Sequence, residues 1–334
     1  MTVRPIQSAV RSRILGTGSY LPARLMTNAD LEKRVDTTDQ WIVERTGIGE
    51  RRIAEESEAA SDLGWAAARS ALEMAAIKPE AVDLIIVATA TPDRLFPSTA
   101  CLIQDRLGAR RAAAFDLSAA CSGFLYGLSV ADQYLRGGTF ETVLVIGTEV
   151  LSRIVDWTDR STCILFGDGA GAAVLRREKG NRGLLDTRLY SDGTLWDLIQ
   201  VVGGGSRRLA SEETAGIQTP AIRMRGGETF KAAVRLLEES AREILKDNGI
   251  QPAELDLYIP HQANIRIIQA VADRMEIPME RVGVNLDRYG NTSAASIPIV
   301  LDELVRSGRI REGSLLLIQA IGSGLTWGSA IMKW

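Results

Sequence analysis

Three residues spread over the chain can together do covalent chemistry. Cys121 lies in Asp116-Leu-Ser-Ala-Ala-Cys-Ser-Gly-Phe124, where small neighbours leave room for a close approach and the following pattern starts a helix. A thiol at a helix N-terminus has its pKa lowered by the helix dipole and becomes a nucleophile at neutral pH. The competing reading is a buried structural cysteine, since free cysteines are among the most buried residues; that reading is applied to Cys101 and Cys163. His261, in Tyr258-Ile-Pro-His-Gln-Ala-Asn264, is the only histidine and so the only side chain whose ordinary pKa lies near neutrality. Asn291 follows glycine in Tyr289-Gly-Asn-Thr-Ser293, which alone reads as an ordinary turn. Taken as a set, the three fit acyl transfer: thiolate attack makes a thioester, and His and Asn donors hold an oxyanion or enolate. Hydrolysis and condensation both remain open from these residues.

The elements that must position them are short β-branched runs alternating with longer helical spacing. The runs at 83–90, 142–147, 255–260 and 314–318 read as strands buried on both faces. Helices are expected over 60–76, 98–108, 121–136, 228–248, 264–275 and 294–307, several closed by glycine at Gly108, Gly137, Gly249 and Gly308. This alternation is a layered α/β fold. Gly16-Thr-Gly18 leads into Pro22 rather than a helix, so it is no dinucleotide fingerprint. Gly167-Asp-Gly-Ala-Gly171 runs into a strand and reads as close backbone packing. Gly322-Ser-Gly-Leu-Thr-Trp-Gly328 reads as a tight turn whose N–H groups can cradle an oxyanion.

An internal repeat organises these elements. Residues 68–90 laid on 241–263, an offset of 173, match at nine of 23 positions, among them Leu72/Leu245, Pro79/Pro252 and Asp83/Asp256. A second window, 121–138 on 291–308 at an offset of 170, matches at Val130/Val300, Asp132/Asp302, Arg136/Arg306 and Gly138/Gly308 and sets Cys121 on Asn291. The chain thus reads as two duplicated halves, 1–180 carrying the cysteine and 181–334 carrying His and Asn, related by a pseudo-twofold. Residues 184–227 have no counterpart in the first half and are expected to form in part a mobile surface excursion.

Composition narrows the partners. The chain has 334 residues, with 39 Lys+Arg against 42 Asp+Glu, and no basic stripe advertises nucleic acid or an anionic membrane. Arg4, Arg11 and Arg13 interrupt any secretory apolar run, and no stretch is apolar enough to span a bilayer. Three widely spaced cysteines suit a reducing cytoplasm, and one histidine makes a zinc site improbable.

Beyond these physical readings, Asp39-Gln-Trp-Ile-Val-Glu-Arg-Thr-Gly-Ile48, Ala119-Ala-Cys-Ser-Gly123, Phe166-Gly-Asp-Gly-Ala-Gly-Ala172, Pro260-His-Gln-Ala-Asn-Ile-Arg266, Gly290-Asn-Thr-Ser-Ala-Ala-Ser296 and Thr326-Trp-Gly328 occur in order along nearly the whole chain. This set resembles the β-ketoacyl-acyl carrier protein synthase III family. The resemblance implies a thiolase-like, five-layered α-β-α-β-α fold and a decarboxylative condensation of a short acyl-CoA with malonyl-acyl carrier protein. It implies Cys121 as the acylated nucleophile, His261 and Asn291 as stabilisers of the enolate, and the backbone N–H groups of Cys121 and Ser323 as oxyanion hole. It also implies CoA contacts at Trp41, Arg45, Arg160 and Asn264, and carrier-protein contacts at Gln262, Ala263, Asn264, Ile265, Arg266 and Lys231. Phe96 matches a residue reaching into the acyl pocket of a partner in a homodimer. No metal or cofactor is implied, acyl-CoA being a substrate. Ile321, Ser323 and Leu325 depart from the family's usual glycines and phenylalanines, which bears on acyl-chain preference. The alternatives are a specialised-metabolism condensing enzyme with another primer, a Cys-His-Asn thioesterase, and a non-catalytic CoA- or carrier-binding protein.

Overall fold

The computed structural model describes residues 10–206 and 220–334. The apolar run Leu84–Ala88 is buried at every residue and pairs in parallel with Ala113–Leu117 on one side and Thr142–Glu149 on the other. Gly169–Lys179 and Val10–Tyr20 extend this sheet antiparallel, giving five strands. A second sheet has four: Leu257–Pro260, Leu315–Gly322, Thr326–Lys333 and Gly183–Ser191.

Strand periodicity then builds the layers. Along Leu84–Val87 alternate side chains face opposite ways: Ile85 and Val87 meet the Ala60–Ala75 and Thr99–Leu107 helices, whereas Leu84 and Ile86 face the middle of the molecule. There the Gly123–Gly137 and Ser296–Arg306 helices lie between the sheets, with Phe124, Leu128, Ile297 and Leu301 fully or nearly fully buried. Tyr258 and Leu317 point the other way from the second sheet, onto the Gly226–Asp247 and Ile265–Arg274 helices. The result is the five-layered α-β-α-β-α arrangement. Among the described residues no helix is long and apolar enough to cross a membrane.

The structure corrects the register of the repeat. From the outer edge inward, Val10–Tyr20, Gly169–Lys179, Thr142–Glu149 and Leu84–Ala88 occupy the same order in one sheet as Gly183–Ser191, Thr326–Lys333, Leu315–Gly322 and Leu257–Pro260 in the other. Residues 184–191 are therefore the counterpart of the first strand rather than an excursion. Ile199–Val202 and Ala221–Met224 form a further hairpin-like pair; the intervening stretch 207–219 lies outside the described residues. At the helix starts the offset is 173, not 170: the turn Ala120–Ser122 before Gly123 corresponds to Ser293–Ala295 before Ser296. Both turns carry a residue in the left-handed region, Ala120 at φ 46° and Ser293 at φ 49°. Cys121 thus corresponds to Ala294, not to Asn291. The 170 offset belongs only to the C-terminal parts of these helices, where Asp132 lies nine residues beyond Gly123 and Asp302 six beyond Ser296.

The identities in that second window have a structural function. Asp302 pairs with Arg306 at 2.8 Å, accepts from Thr17 and Ser19 hydroxyls at 2.8 and 2.7 Å, and Arg306 donates to the Thr17 carbonyl. Asp132 pairs with Arg136 at 2.7 Å, and Arg136 donates to the Leu184 and Leu185 carbonyls. Each central helix thus fastens the edge strand of the opposite half. Two smaller corrections complete the comparison. Gly138, not Gly137, takes the left-handed helix-capping conformation at φ 75°, and Cys101 is exposed whereas Cys163 is buried.

Gly18 shows how tightly strand and helix meet: a Cβ there would stand 2.3 Å from the Ala67 carbonyl oxygen and 2.4 Å from the Ala71 nitrogen. Both obstacles are helix backbone and cannot rotate away. Gly18→Ala is expected to cost about 3 kcal/mol of stability through overpacking, measured as a shift in the urea unfolding midpoint at unchanged slope.

Candidate active site

A cavity of about 570 Å³ opens between the two halves and holds Cys121, His261 and Asn291 on one wall system, the size of a small-ligand pocket. Cys121 sits in the turn Ala120–Ser122, directly ahead of the Gly123–Gly137 helix. The turn is held by Ser122, whose hydroxyl donates to the Thr326 carbonyl at 2.8 Å, and by Thr326, whose hydroxyl donates to the Ala119 carbonyl at 3.0 Å. Gly322 makes this approach possible: a Cβ there would lie 2.7 Å from the Cys121 nitrogen. Contrary to expectation from the helix dipole alone, burial pushes the Cys121 thiol up to about 12, with the Ser293 hydroxyl opposing the rise.

His261 ends the Leu257–Pro260 strand, its N–H donating to the Gln319 carbonyl at 2.7 Å. Its Nδ1 lies 2.6 Å from the Ser296 hydroxyl oxygen, which also accepts from the Gln262 N–H at 3.3 Å. With the Ser296 hydroxyl donating to Nδ1, a neutral imidazole carries its proton on Nε2. Burial pushes the His261 pKa down to about 3, so the ring is neutral throughout the physiological range. Asn291 is fixed in the same manner. Its backbone bridges to Leu165 and Gly167, and its Oδ1 accepts from the Ser293 N–H at 2.8 Å, while its NH₂ group has no partner among the described residues. Two uncharged donors thus share a cavity with a thiol.

The other expected positions divide by location. Arg45, Lys231, Ala263, Asn264 and Arg266 line the cavity together with the triad. Trp41 lies beside them with the guanidinium carbons of Arg160 and Arg45 at 4.9 and 5.7 Å from its ring centre, and Asn264 donates to the Arg45 carbonyl at 3.0 Å. Arg266 lies over Phe230 at 5.7 Å, and Ile265 packs against Gly47. Gln262 departs from its expected place on a docking surface. It is fully buried, with its amide donating to the Pro260 and Gly283 carbonyls and accepting from the Asn285 N–H. Both polar atoms of its side chain are committed inside the protein, so it organises the loop under His261. Ser323 sits in the turn beside Gly322 and donates its hydroxyl to the Ile199 carbonyl. Phe96 is 84% exposed and lies away from this chain's own cavity.

Three polar residues at the site escaped sequence reasoning. Ser296 orients the imidazole, Ser293 lies beside the thiol, and Glu149, fully buried, ends the Thr142–Glu149 strand. Ser293 and Ser296 lie inside a motif already singled out; for Glu149 the only signal was an acidic residue closing an unbroken apolar run.

Because His261 is the only histidine, the imidazole resonances of this protein are unambiguous. Two-dimensional ¹H–¹⁵N spectra from pH 5 to 8 are expected to show a neutral ring protonated at Nε2 with no titration; a midpoint near the ordinary value of about 6.5 would contradict the buried, neutral assignment.

The chain is similar to known proteins over nearly its whole length. The chain matches the family described as 3-oxoacyl-acyl-carrier-protein (ACP) synthase III over residues 115–193 and its C-terminal part over residues 245–334. It is 53% identical to the β-ketoacyl-acyl-carrier-protein synthase III of Caldanaerobacter subterraneus subsp. tengcongensis, over 97% of this chain and 98% of that one. Among solved structures, the 3-oxoacyl-acyl-carrier-protein synthase III of Aquifex aeolicus is 51% identical, with a TM-score of 0.90 over 97% of this chain and 100% of that one. A priming β-ketosynthase from a polyketide biosynthetic pathway is 37% identical, with a TM-score of 0.89 over 100% and 98% of the two chains. With such identity sustained over almost its full length, the chain belongs to the β-ketoacyl-acyl carrier protein synthase III family.

Proposed function

We propose that the chain is an acyltransferase that joins a short acyl-CoA, acetyl-CoA in the first instance, to malonyl-acyl carrier protein and so starts fatty-acid synthesis. The observation that carries this reading is the pairing of the Cys121 thiol with two neutral donors, His261 Nε2–H and the Asn291 amide, in one cavity. Thiol attack on the acyl-CoA carbonyl transfers the acyl group to Cys121 and releases CoA. The malonyl group then loses carbon dioxide, and negative charge develops on its thioester oxygen. Two uncharged donors hold that enolate oxygen, whereas a carboxylate would repel it. The enolate carbon attacks the Cys121 thioester, the carbon–carbon bond forms, and the cysteine departs. In both acyl steps the Cys121 and Ser323 backbone N–H groups serve as oxyanion hole.

In this reading Trp41, Arg45, Arg160 and Asn264 receive the CoA nucleotide, an aromatic face beside two guanidiniums suiting an adenine and its phosphates. Lys231, Ala263, Ile265 and Arg266 meet the carrier protein, the two cations suiting an acidic surface. Acyl-CoA enters as a substrate, and the mechanism calls on no cofactor. The enzyme works as a cytoplasmic homodimer, with the adjacent exposed Leu95 and Phe96 at the contact between copies.

Intact-protein mass spectrometry after brief incubation with acyl-CoAs from acetyl to octanoyl tests the reading. Acetyl adducts that vanish in Cys121→Ala are expected; adducts with longer or aryl primers only would reassign the enzyme to specialised metabolism. His261→Ala should still acquire the acyl group while decarboxylation of malonyl-acyl carrier protein falls on the order of 100- to 1,000-fold, followed as carbon dioxide release. Free acid appearing without ketoacyl product would instead identify a thioesterase.

A further inference from the structure

Arg51 lies in the short strand Glu50–Ile53, which pairs with Arg24–Thr27, and its side chain is fully buried. Burial lowers its pKa only to about 10, so the guanidinium is charged at physiological pH. Among the described residues it forms no ion pair. Its hydrogen bonds go to neutral oxygens instead: Nη2 donates to the Ile164 carbonyl at 2.8 Å, and Nη1 donates to Asn28 Oδ1 at 2.9 Å and to the Met26 carbonyl at 3.4 Å. A charge buried without a counter-ion is costly, and an apolar side chain would fill the same space without that cost. What only a guanidinium adds is a rigid fork of donors that can hold separate segments at once.

One of those segments runs into the site. Ile164 closes the Arg160–Cys163 helix, so the bond to its carbonyl fixes the end of the helix that begins with Arg160. One residue on, the Leu165 carbonyl accepts from the Asn291 N–H at 2.8 Å, and the Gly167 N–H donates to the Asn291 carbonyl at 3.1 Å. Arg51 packs against the same crossing: a Cβ on Gly167 would stand 3.0 Å from the Arg51 Cβ, and one on Gly290 would stand 3.4 Å from it. The other segment runs to the Trp41 helix. Asn28, itself buried, donates its amide to Asp39 Oδ1 and to the Ile48 carbonyl, both at 2.8 Å. Asp39 opens the Asp39–Thr46 helix and Ile48 follows its end, and between them stand Trp41 and Arg45.

We propose that Arg51 is a positioning residue that joins the nucleotide contacts to the Asn291 donor: one guanidinium sets the Trp41 helix against the Arg160 helix and, through the segment 164–167, holds the backbone of Asn291 in place. This inference rests on the proposed function, in which Trp41 and Arg160 receive CoA and Asn291 holds the enolate, and it deepens that reading. Arg51 does not line the cavity and acts only through its partners. The two branches can be separated by mutation, because Asp39 is exposed and belongs to the Trp41 branch alone.

Two assays on the full chain test this: KM for acetyl-CoA in the condensation, and carbon dioxide release from malonyl-acyl carrier protein alone, which uses no CoA. Arg51→Met should raise that KM on the order of 10-fold and slow carbon dioxide release on the order of 100-fold. Asp39→Ala, which cuts only the Trp41 branch, should raise the KM on the order of 10-fold with carbon dioxide release unchanged. Arg51→Lys keeps the charge without the fork and should show both defects; full recovery by lysine would make charge rather than geometry the cause and overturns the proposal. Melting temperatures show which variants are folded, and if those at Arg51 are not, the split in Asp39→Ala still decides the Trp41 branch. Folded Arg51→Met with either assay unchanged, or Asp39→Ala with an unchanged KM or with both assays impaired, overturns the proposal. A wild-type chain that neither acquires an acetyl group nor releases carbon dioxide would instead overturn the proposed function itself.

Discussion

The centre of this molecule depends on how closely two strand ends approach two turns. Where Leu315–Gly322 ends, the backbone comes so near the Cys121 amide that only a hydrogen can stand at position 322. Where Thr142–Glu149 nears its end, the same holds for Gly147 against Ala294. These contacts press the Ala120–Ser122 and Ser293–Ala295 turns together, and each turn holds a residue with side chain in the left-handed region, a conformation costing about 1–3 kcal/mol. That cost is sustained by the two buried helices that follow, whose apolar faces fill the space between the sheets. Site and core are therefore one construction: the packing that stabilises the fold also sets the thiol beside the donors.

Electrostatics follows from the same closeness. With water excluded, the histidine is held neutral, the thiol is held protonated, and a carboxyl is brought near neutrality. Each shift has burial as its largest cause, and what distinguishes the three groups is their hydrogen bonding. Ser296 holds Nδ1 of His261, and the Ser293 N–H holds the Asn291 amide oxygen so that its NH₂ group is left to donate. Two serines thus orient two of the groups that line the cavity.

Much of this was legible in the sequence, for physical reasons that can be named. Buried strands such as Leu84–Ala88 announce themselves as β-branched runs, and the repeat exposed the duplicated architecture because Asp132–Arg136 and Asp302–Arg306 perform the same task on opposite edges. The three residues that the fold gathers in one cavity stood out because Cys, His and Asn are chemically distinctive. What stayed hidden depends on distance rather than residue type. The shorter run from helix start to the Asp302–Arg306 pair shifted the register and misplaced Cys121 against Asn291. Gln262 looks like a surface residue until its four bonds are traced inward. Glu149 closes an apolar strand as many exposed acids do, and only the folding of the second half onto it makes it a buried group.

The pseudo-symmetry carries one more consequence, for the division of labour between the halves. At the positions that correspond, Cys121 faces Ala294, His261 corresponds to Ala88, and Glu149 corresponds to Gly322. Each of these side chains is matched by one of the smallest residues available. A symmetric pair of nucleophiles or imidazoles would fill the space along the axis and leave no room for an acyl group, so a scaffold made twice can house its reaction only once.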